Sequence, residues 1–202
     1  MQIRNASRGL VQRYGPRKAK RLLWDKEFAV GRWDVLDQTE DDRTRVLVER
    51  FANGGHILDL GCGTGTTSIT LDPAVYTRYT GVDISDVAIK VARARAQKSG
   101  HAGLNEYCES DILMYKPSCQ FDVILFGDSI YYVPSRRIAP LLSRYSTFLT
   151  ARGVFVARLF DVSGKHQHIL DTIESHFETV EKHIHKQTQA VAIVFRPLPE
   201  NR

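Results

Sequence analysis

The sequence predicts an α/β domain, a doubly wound, seven-stranded, mostly parallel sheet whose last strand runs antiparallel. From His56 onward, short apolar runs alternate with helical segments, the pattern of a parallel sheet covered on both faces. A glycine-rich turn follows the first of those runs. Late in the chain, strand-like residues 179–185 and 190–195 are joined by Lys186-Gln187-Thr188-Gln189. That linker is too short for a crossover helix, so the pair forms an antiparallel hairpin.

Each element has a local reason. Pro16 separates a basic arm from a helical segment over residues 17–30, where Leu22, Leu23 and Phe28 can share a face. Gly31-Arg32-Trp33-Asp34 reads as a turn. The next helix has Thr39 as its cap and Val46, Leu47 and Phe51 on its buried side, and Asn53-Gly54-Gly55 ends it. Residues 56–60 form the first strand, followed by the glycine turn and a helix from about Thr66. Residues 79–84 form the second strand. Ser85 caps a helix over 86–97 with Val87, Ile89 and Val91 as apolar contacts, closed by Ser99-Gly100. Residues 105–108 are a weaker strand, and 121–126 a strong one bounded by Gly127. Pro134-Ser135 start a helix carrying Ile138, Leu141, Leu142, Tyr145 and Leu149. Residues 153–160 are the fifth strand, and a helix around 169–177 precedes the hairpin.

The chain has 202 residues, 43% hydrophobic and 25% charged, which suits one such domain with a short extension. No apolar run approaches the roughly 20 residues that span a bilayer, and the N-terminal residues lack a secretory pattern. The expected location is the cytosol. The three cysteines, Cys62, Cys108 and Cys119, have no CxxC spacing and read as free thiols. His166, His168, His176, His183 and His185 come without HExxH or a cysteine pair, so no metal is expected. Net charge is +5 and uneven, because Arg4, Arg8, Arg13, Arg17, Lys18, Lys20 and Arg21 all precede the first acid, Asp25. This arm is expected to be a solvated, partly frayed terminus; its alternative role is phosphate contact with nucleic acid.

The densest chemical signal is Ile57-Leu58-Asp59-Leu60-Gly61-Cys62-Gly63-Thr64-Gly65. Alternate glycines after a strand let the backbone turn sharply and approach a ligand. Thr66 makes the spacing GxGxG rather than the GxGxxG of a dinucleotide site, which weakens a dehydrogenase reading. Asp83 ends the next strand beside this turn, where a carboxylate can accept both hydroxyls of a ribose. Asp111, after the third strand, can accept from an exocyclic adenine amine, with Ile84 and Ile112 sandwiching the ring.

These motifs in this order, with GVDIS (81–85), SDI (110–112), FDVILFGDSIYYV (121–133) and GVFVARLF (153–160), resemble the class I S-adenosylmethionine-dependent methyltransferases of Rossmann-like fold over about residues 56–196. The resemblance implies that the seventh strand inserts antiparallel between the fifth and sixth. It implies that Asp59 and the backbone of Gly61, Cys62, Gly63 and Gly65 hold the methionine part of S-adenosylmethionine. Asp83 would hold the ribose, Asp111 with Ile112 the adenine, and Gly127 would lie beside the methionine end. Residues 1–55 would be the arm and the lid or substrate helices, and 56–202 the donor-binding domain.

A sulfonium donor already activates its methyl group, so alignment and exclusion of water matter more than a triad. Asp128 is the first candidate for a positioning group or base, and Tyr131 and Tyr132 for orienting the acceptor; the competing role of both tyrosines is packing on the following helix. Tyr14, Trp24 and Trp33, with Arg32 adjacent, are lid candidates, and Trp33 serves equally as a core residue. Asp161, His166 and His168 form another loop at the same edge, where a histidine is a candidate base near neutral pH and a surface histidine is the more common outcome. Gly127-Asp128-Ser129-Ile130-Tyr131 stands where DNA-adenine and glutamine methyltransferases carry Asn/Asp-Pro-Pro-Tyr, which weighs against those substrates. The leading expectation is transfer to oxygen or nitrogen of a small metabolite, a sugar or natural-product intermediate, by a monomer or homodimer. RNA methylation through the basic arm and non-catalytic donor binding are the alternatives.

Overall fold

The alternation folds into one seven-stranded sheet. The computed structural model describes residues 2–33, 43–160, 164–185 and 189–199. In chain order the elements are α1 (Gln2–Tyr14), α2 (Arg17–Ala29), α3 (Arg43–Ala52), β1 (His56–Leu60), α4 (Thr66–Thr70), β2 (Arg78–Asp83), α5 (Asp86–Ser99) and β3 (Asn105–Glu109). There follow β4 (Phe121–Gly127), a 3-10 turn (Ile130–Tyr132), α6 (Ser135–Ser146), β5 (Leu149–Phe160), α7 (Gln167–His176), β6 (Phe177–Ile184) and β7 (Ala190–Pro197). The strand order is β3-β2-β1-β4-β5-β7-β6. The first five strands are mutually parallel, while β7 runs antiparallel to both β5 and β6. The predicted fold class and the inserted last strand are both present.

The strands are apolar on both sides because helices cover both faces. Leu58, Ile124, Phe126, Phe155 and Phe195 pack against Ile138, Leu142, Tyr145, Ile169 and Ile173 of α6 and α7. On the other face, Ile57, Val123, Leu125 and Val156 meet Leu47 and Val48 of α3 and Ile89 and Ala92 of α5. The period of two along β1 and β4 thus assigns successive residues to opposite cores. Reversal of chain order between β1 and β4 leaves a crevice at the carboxyl ends of β1, β2 and β4, the switch point where such sheets bind ligands.

Several expectations change in detail. The basic arm is ordered as α1 and the start of α2, with Pro16 in extended conformation at the junction. Leu22 is exposed, because α2 docks through Lys20, Trp24, Glu27 and Phe28, and Leu22 lies off that face. Val46 is exposed while Leu47 and Val48 are buried, and Val91 is likewise turned outward on α5. Leu149 starts β5 instead of ending a helix, pairing with Phe121 before a register shift. Ser85 caps α5 as expected, its Oγ accepting from Ala88 N–H. Asp34, Thr39 and Asp161 lie outside the described residues.

Candidate functional site

The glycine turn is built by contacts within the protein. Gly61, Gly63 and Gly65 have φ of +88°, +53° and +76°, the left-handed region that a side chain resists. A Cβ on Gly61 would stand 2.4 Å from the Cβ of Ser129, and one on Gly65 would stand 2.9 Å from that of Ala92. Ser129 Oγ donates to the Leu60 carbonyl, so the turns after β1 and β4 are locked to each other. Close approach of neighbouring chain, rather than of a ligand, therefore demands two of the three glycines. A Cβ on Gly127 would meet nothing within 4 Å; that end of β4 faces open space.

Carboxylates stand at the ends of three successive strands, and one of them, Asp83, bonds this turn directly. Asp83 points at the loop: its Oδ2 accepts from Gly63 N–H at 3.0 Å and its Oδ1 from Ser85 N–H at 2.8 Å. Burial pushes Asp83 up to about 6, with those backbone donors opposing the rise. Asp59 is buried on β1, where the Tyr79 hydroxyl donates to its Oδ2. Burial raises it to about 7, the Tyr79 bond opposing and Asp83 adding to the rise. Asp111 lies beyond β3, its Oδ1 accepting from Leu113 N–H at 2.9 Å and its Oδ2 meeting Lys20 Nζ at 2.5 Å. Ile84 and Ile112 are both half-buried, Ile112 against the α6 side of the core. Burial drives the Cys62 thiol well up, which makes it a packing group and not a nucleophile.

The N-terminal helices close over this edge. Asp25 on α2 accepts from Ser85 Oγ at 2.7 Å and from Val87 N–H at 3.3 Å, tying α2 to the start of α5. Trp24 stands edge-on to Tyr132 at 4.8 Å and 5.6 Å from Trp33. Glu27, buried, holds Arg8 of α1 and accepts from the Trp33 indole at 3.1 Å. Arg13 donates to the Tyr131 carbonyl at 2.6 Å. Tyr131 in turn stacks on His166 at 4.7 Å and 14°. His166 is buried rather than at the surface, whereas His168 is exposed and bonds Ser135 Oγ at 3.0 Å. Asp128 has φ +54° and pairs with Arg158 on β5. Burial raises the phenol of Tyr132 to about 12 and that of Tyr131 further, so both stay protonated near neutral pH. Tyr14 is 56% exposed at the end of α1, away from this ring cluster.

The structure thus gathers Asp59, Gly61, Cys62, Gly63, Gly65, Asp83, Asp111, Gly127, Asp128, Tyr131, Tyr132, Trp24, Trp33 and His166 at one edge of the sheet and leaves Tyr14 aside. The sequence reading missed Arg8, Arg13, Lys20, Asp25, Glu27, Tyr79 and Arg158. All act through partners distant in the chain. The only local hint was the spacing of Lys20, Trp24, Glu27 and Phe28 on one helix face.

Comparison with known proteins matches residues 52–195 to the family described as a methyltransferase domain. The chain belongs to that family. Within it, the chain resembles the S-adenosylmethionine-dependent class I enzymes in both motif order and sheet order. It is 31% identical over 122 residues to the 27-O-demethylrifamycin SV methyltransferase of Amycolatopsis mediterranei, covering 56% of this chain and 44% of that protein. It is 36% identical over 126 residues to the release factor glutamine methyltransferase of Cereibacter sphaeroides, covering 59% and 43%. The chain spans about half the length of the curated relatives it matches. Among solved structures, the N-methyltransferase NodS of Bradyrhizobium japonicum WM9, in complex with S-adenosyl-L-homocysteine, superposes with TM-score 0.70 at 17% identity, covering 88% and 97%. That likeness is one of fold.

The residues fit the family's cofactor, S-adenosylmethionine. Asp59 Oδ1 is buried and accepts no hydrogen bond from the described residues, an acceptor suited to an ammonium donor. Gly127 leaves room beside it at the end of the neighbouring strand, and Asp83 stands between the glycine turn and α5.

Proposed function

We propose that this protein transfers a methyl group from S-adenosylmethionine to an oxygen or nitrogen of a small metabolite. The observation that carries the reading is the acceptor side of the crevice. Past Gly127 the chain enters a cluster of rings, in which Trp24, Trp33, Tyr131, Tyr132 and His166 contact one another in series. Of the basic residues of the N-terminal helices, Arg8, Arg13 and Lys20 turn inward, to Glu27, the Tyr131 carbonyl and Asp111, while the more exposed Arg17 and Arg21 pair with Glu109. Charges committed to internal partners are poor counterions for a phosphate backbone, which favours a small acceptor over RNA.

S-adenosylmethionine, when bound, supplies a methyl group already activated on a sulfonium. In this reading Asp59 and the turn at Gly61, Cys62, Gly63 and Gly65 hold its methionine end. Asp83 takes the ribose hydroxyls, and Asp111 takes the exocyclic amine between Ile84 and Ile112. Asp128, fixed by Arg158, positions the acceptor, and the protonated Tyr131 and Tyr132 orient it as donors. His166, stacked on Tyr131, is the group placed to take an acceptor proton where one must leave. The α2 aromatics exclude water, which strengthens each of these interactions.

Titration calorimetry with S-adenosylhomocysteine, followed by a methylation screen over sugars and natural-product intermediates, tests the reading. Donor binding plus turnover of a small acceptor supports it. Donor binding with no small acceptor, together with steeply salt-dependent RNA binding, overturns it in favour of the RNA alternative. Donor binding with neither overturns it in favour of a non-catalytic binder.

A further inference from the structure

Helix α2 runs along the donor site just assigned, meeting the segments after β2 and β3 and the glycine turn. Near its start, Arg17 and Arg21 face Glu109 at 3.6 and 3.3 Å, at the end of β3. Lys20 reaches Asp111, Asp25 reaches Ser85 beside Asp83, Trp24 meets Tyr132, and Phe28 lies 3.6 Å from where a Cβ on Gly63 would stand. Of these contacts, the one between Lys20 and Asp111 bears directly on nucleoside binding. The two side chains are only 12% and 6% exposed, and the ammonium sits 2.5 Å from Oδ2. The other oxygen, Oδ1, already accepts from Leu113 N–H at 2.9 Å. Both oxygens of the carboxylate therefore have donors from the protein itself.

We infer that Lys20 is an affinity-determining residue of the donor site, an internal competitor whose ammonium contends with the exocyclic amine of the adenine for Oδ2 of Asp111. The inference rests on Asp111 being the adenine acceptor. Its physics is an exchange of unequal donors. Both bonds go to an ionised carboxylate, but the Lys20 ammonium adds the Coulomb attraction of a full opposite charge, which a neutral amine lacks. A base whose amine takes the place of the ammonium on Oδ2 exchanges a stronger partner for a weaker one, and measured affinity is reduced by the fraction of molecules in which the pair holds. Because Lys20 rides on α2, yielding Asp111 also removes the most buried of the ties on the first turn of that helix, leaving those of Arg17 and Arg21 to Glu109. Loading of the donor and loosening of this end of α2 become one event.

The test uses the full chain and S-adenosylhomocysteine. Lys20→Met keeps the apolar stem that packs along the helix and removes the ammonium. Calorimetry should show this variant binding about tenfold more tightly than the unaltered protein. Lys20→Arg, which restores a cation facing Asp111, should return affinity toward the starting value. A Lys20→Met variant that binds equally or more weakly overturns the inference, since Lys20 is then neutral or a direct contact to the nucleoside. The second measurement needs no variant. Hydrogen exchange of the unaltered protein should speed up at residues 17–21 when S-adenosylhomocysteine is added, and slowed or unchanged exchange there overturns the inference. Should the unaltered protein not bind S-adenosylhomocysteine at all, the donor-site reading itself falls, a distinguishable failure.

Discussion

Gly61 gives the sharpest quantitative test of how the site is built. Replacing it with alanine imposes two separable costs. At φ +88° a side chain costs about 1–2 kcal/mol of backbone strain. The added Cβ would also stand 2.4 Å from the Cβ of Ser129, so one of the two locked turns must move. Overpacking of that kind costs about 1–3 kcal/mol, for a total of roughly 2–5. For a domain of this size each kcal/mol lowers Tm by about 2–4 °C, so Gly61→Ala should melt roughly 4–20 °C lower. Ser129→Gly alone loses the bond to the Leu60 carbonyl and gains backbone freedom, about 1–2 kcal/mol together. In the double variant the collision is gone and only the strain at position 61 persists. The two changes should therefore be non-additive, the pair less destabilised than the sum by about 1–3 kcal/mol. Urea unfolding of the four proteins, followed by far-UV circular dichroism, measures this directly. Additivity within about 0.5 kcal/mol would refute the claim that Ser129 is what requires glycine at position 61.

Other consequences are open to measurement. Asp83→Asn sets an amide NH2 against the N–H of either Gly63 or Ser85, so calorimetry should show S-adenosylhomocysteine binding weakened at least about tenfold with the far-UV spectrum retained. Burial raises Asp59 to about 7 and Asp83 to about 6, so the native state keeps protons that the unfolded chain releases near pH 4. Their contribution is thus fully present at low pH, and stability falls as pH rises from about 4 through 7, a fall that Asp59→Asn should partly flatten in Tm measurements. Affinity for the cationic donor should change in the opposite sense and improve over the same range as the carboxylates ionise; calorimetry at pH 5 to 8 that shows no improvement removes Asp59 as the ammonium partner. Glu27→Gln leaves Arg8 without its counter-charge, and should cost about 1–3 kcal/mol, moderated by the 25% exposure of Arg8, with a red shift in tryptophan emission as Trp33 loosens.

Much of this was legible in the linear pattern because its physics is local. The alternation of apolar strands and helices, the short linker before β7 and the cap at Ser85 each depend on neighbours within a few residues. The same holds for Asp59, Gly63 and Asp83: a strand end, a glycine turn and the next strand end are carried to one edge by parallel pairing alone, Asp59 lying opposite Gly81. What the pattern misjudged was the first turn or two of side-chain direction. Leu22 and Val46 are apolar, yet the docking face of each helix was decided by a partner elsewhere in the chain.

By itself, then, the order of residues determined the sheet, its topology class and the cradle of carboxylates and glycines, since backbone pairing and period leave few other arrangements. Tertiary structure alone decided the rest. It made a basic arm into an inward-facing clamp by bringing Glu27 to Arg8 and Asp111 to Lys20, and it turned Gly61 into a steric necessity by setting Ser129 against it. The reason is that an ion pair or a collision is a property of distance in space, and residues 91 positions apart in the chain, such as Lys20 and Asp111, carry no mutual signal until the fold places them together.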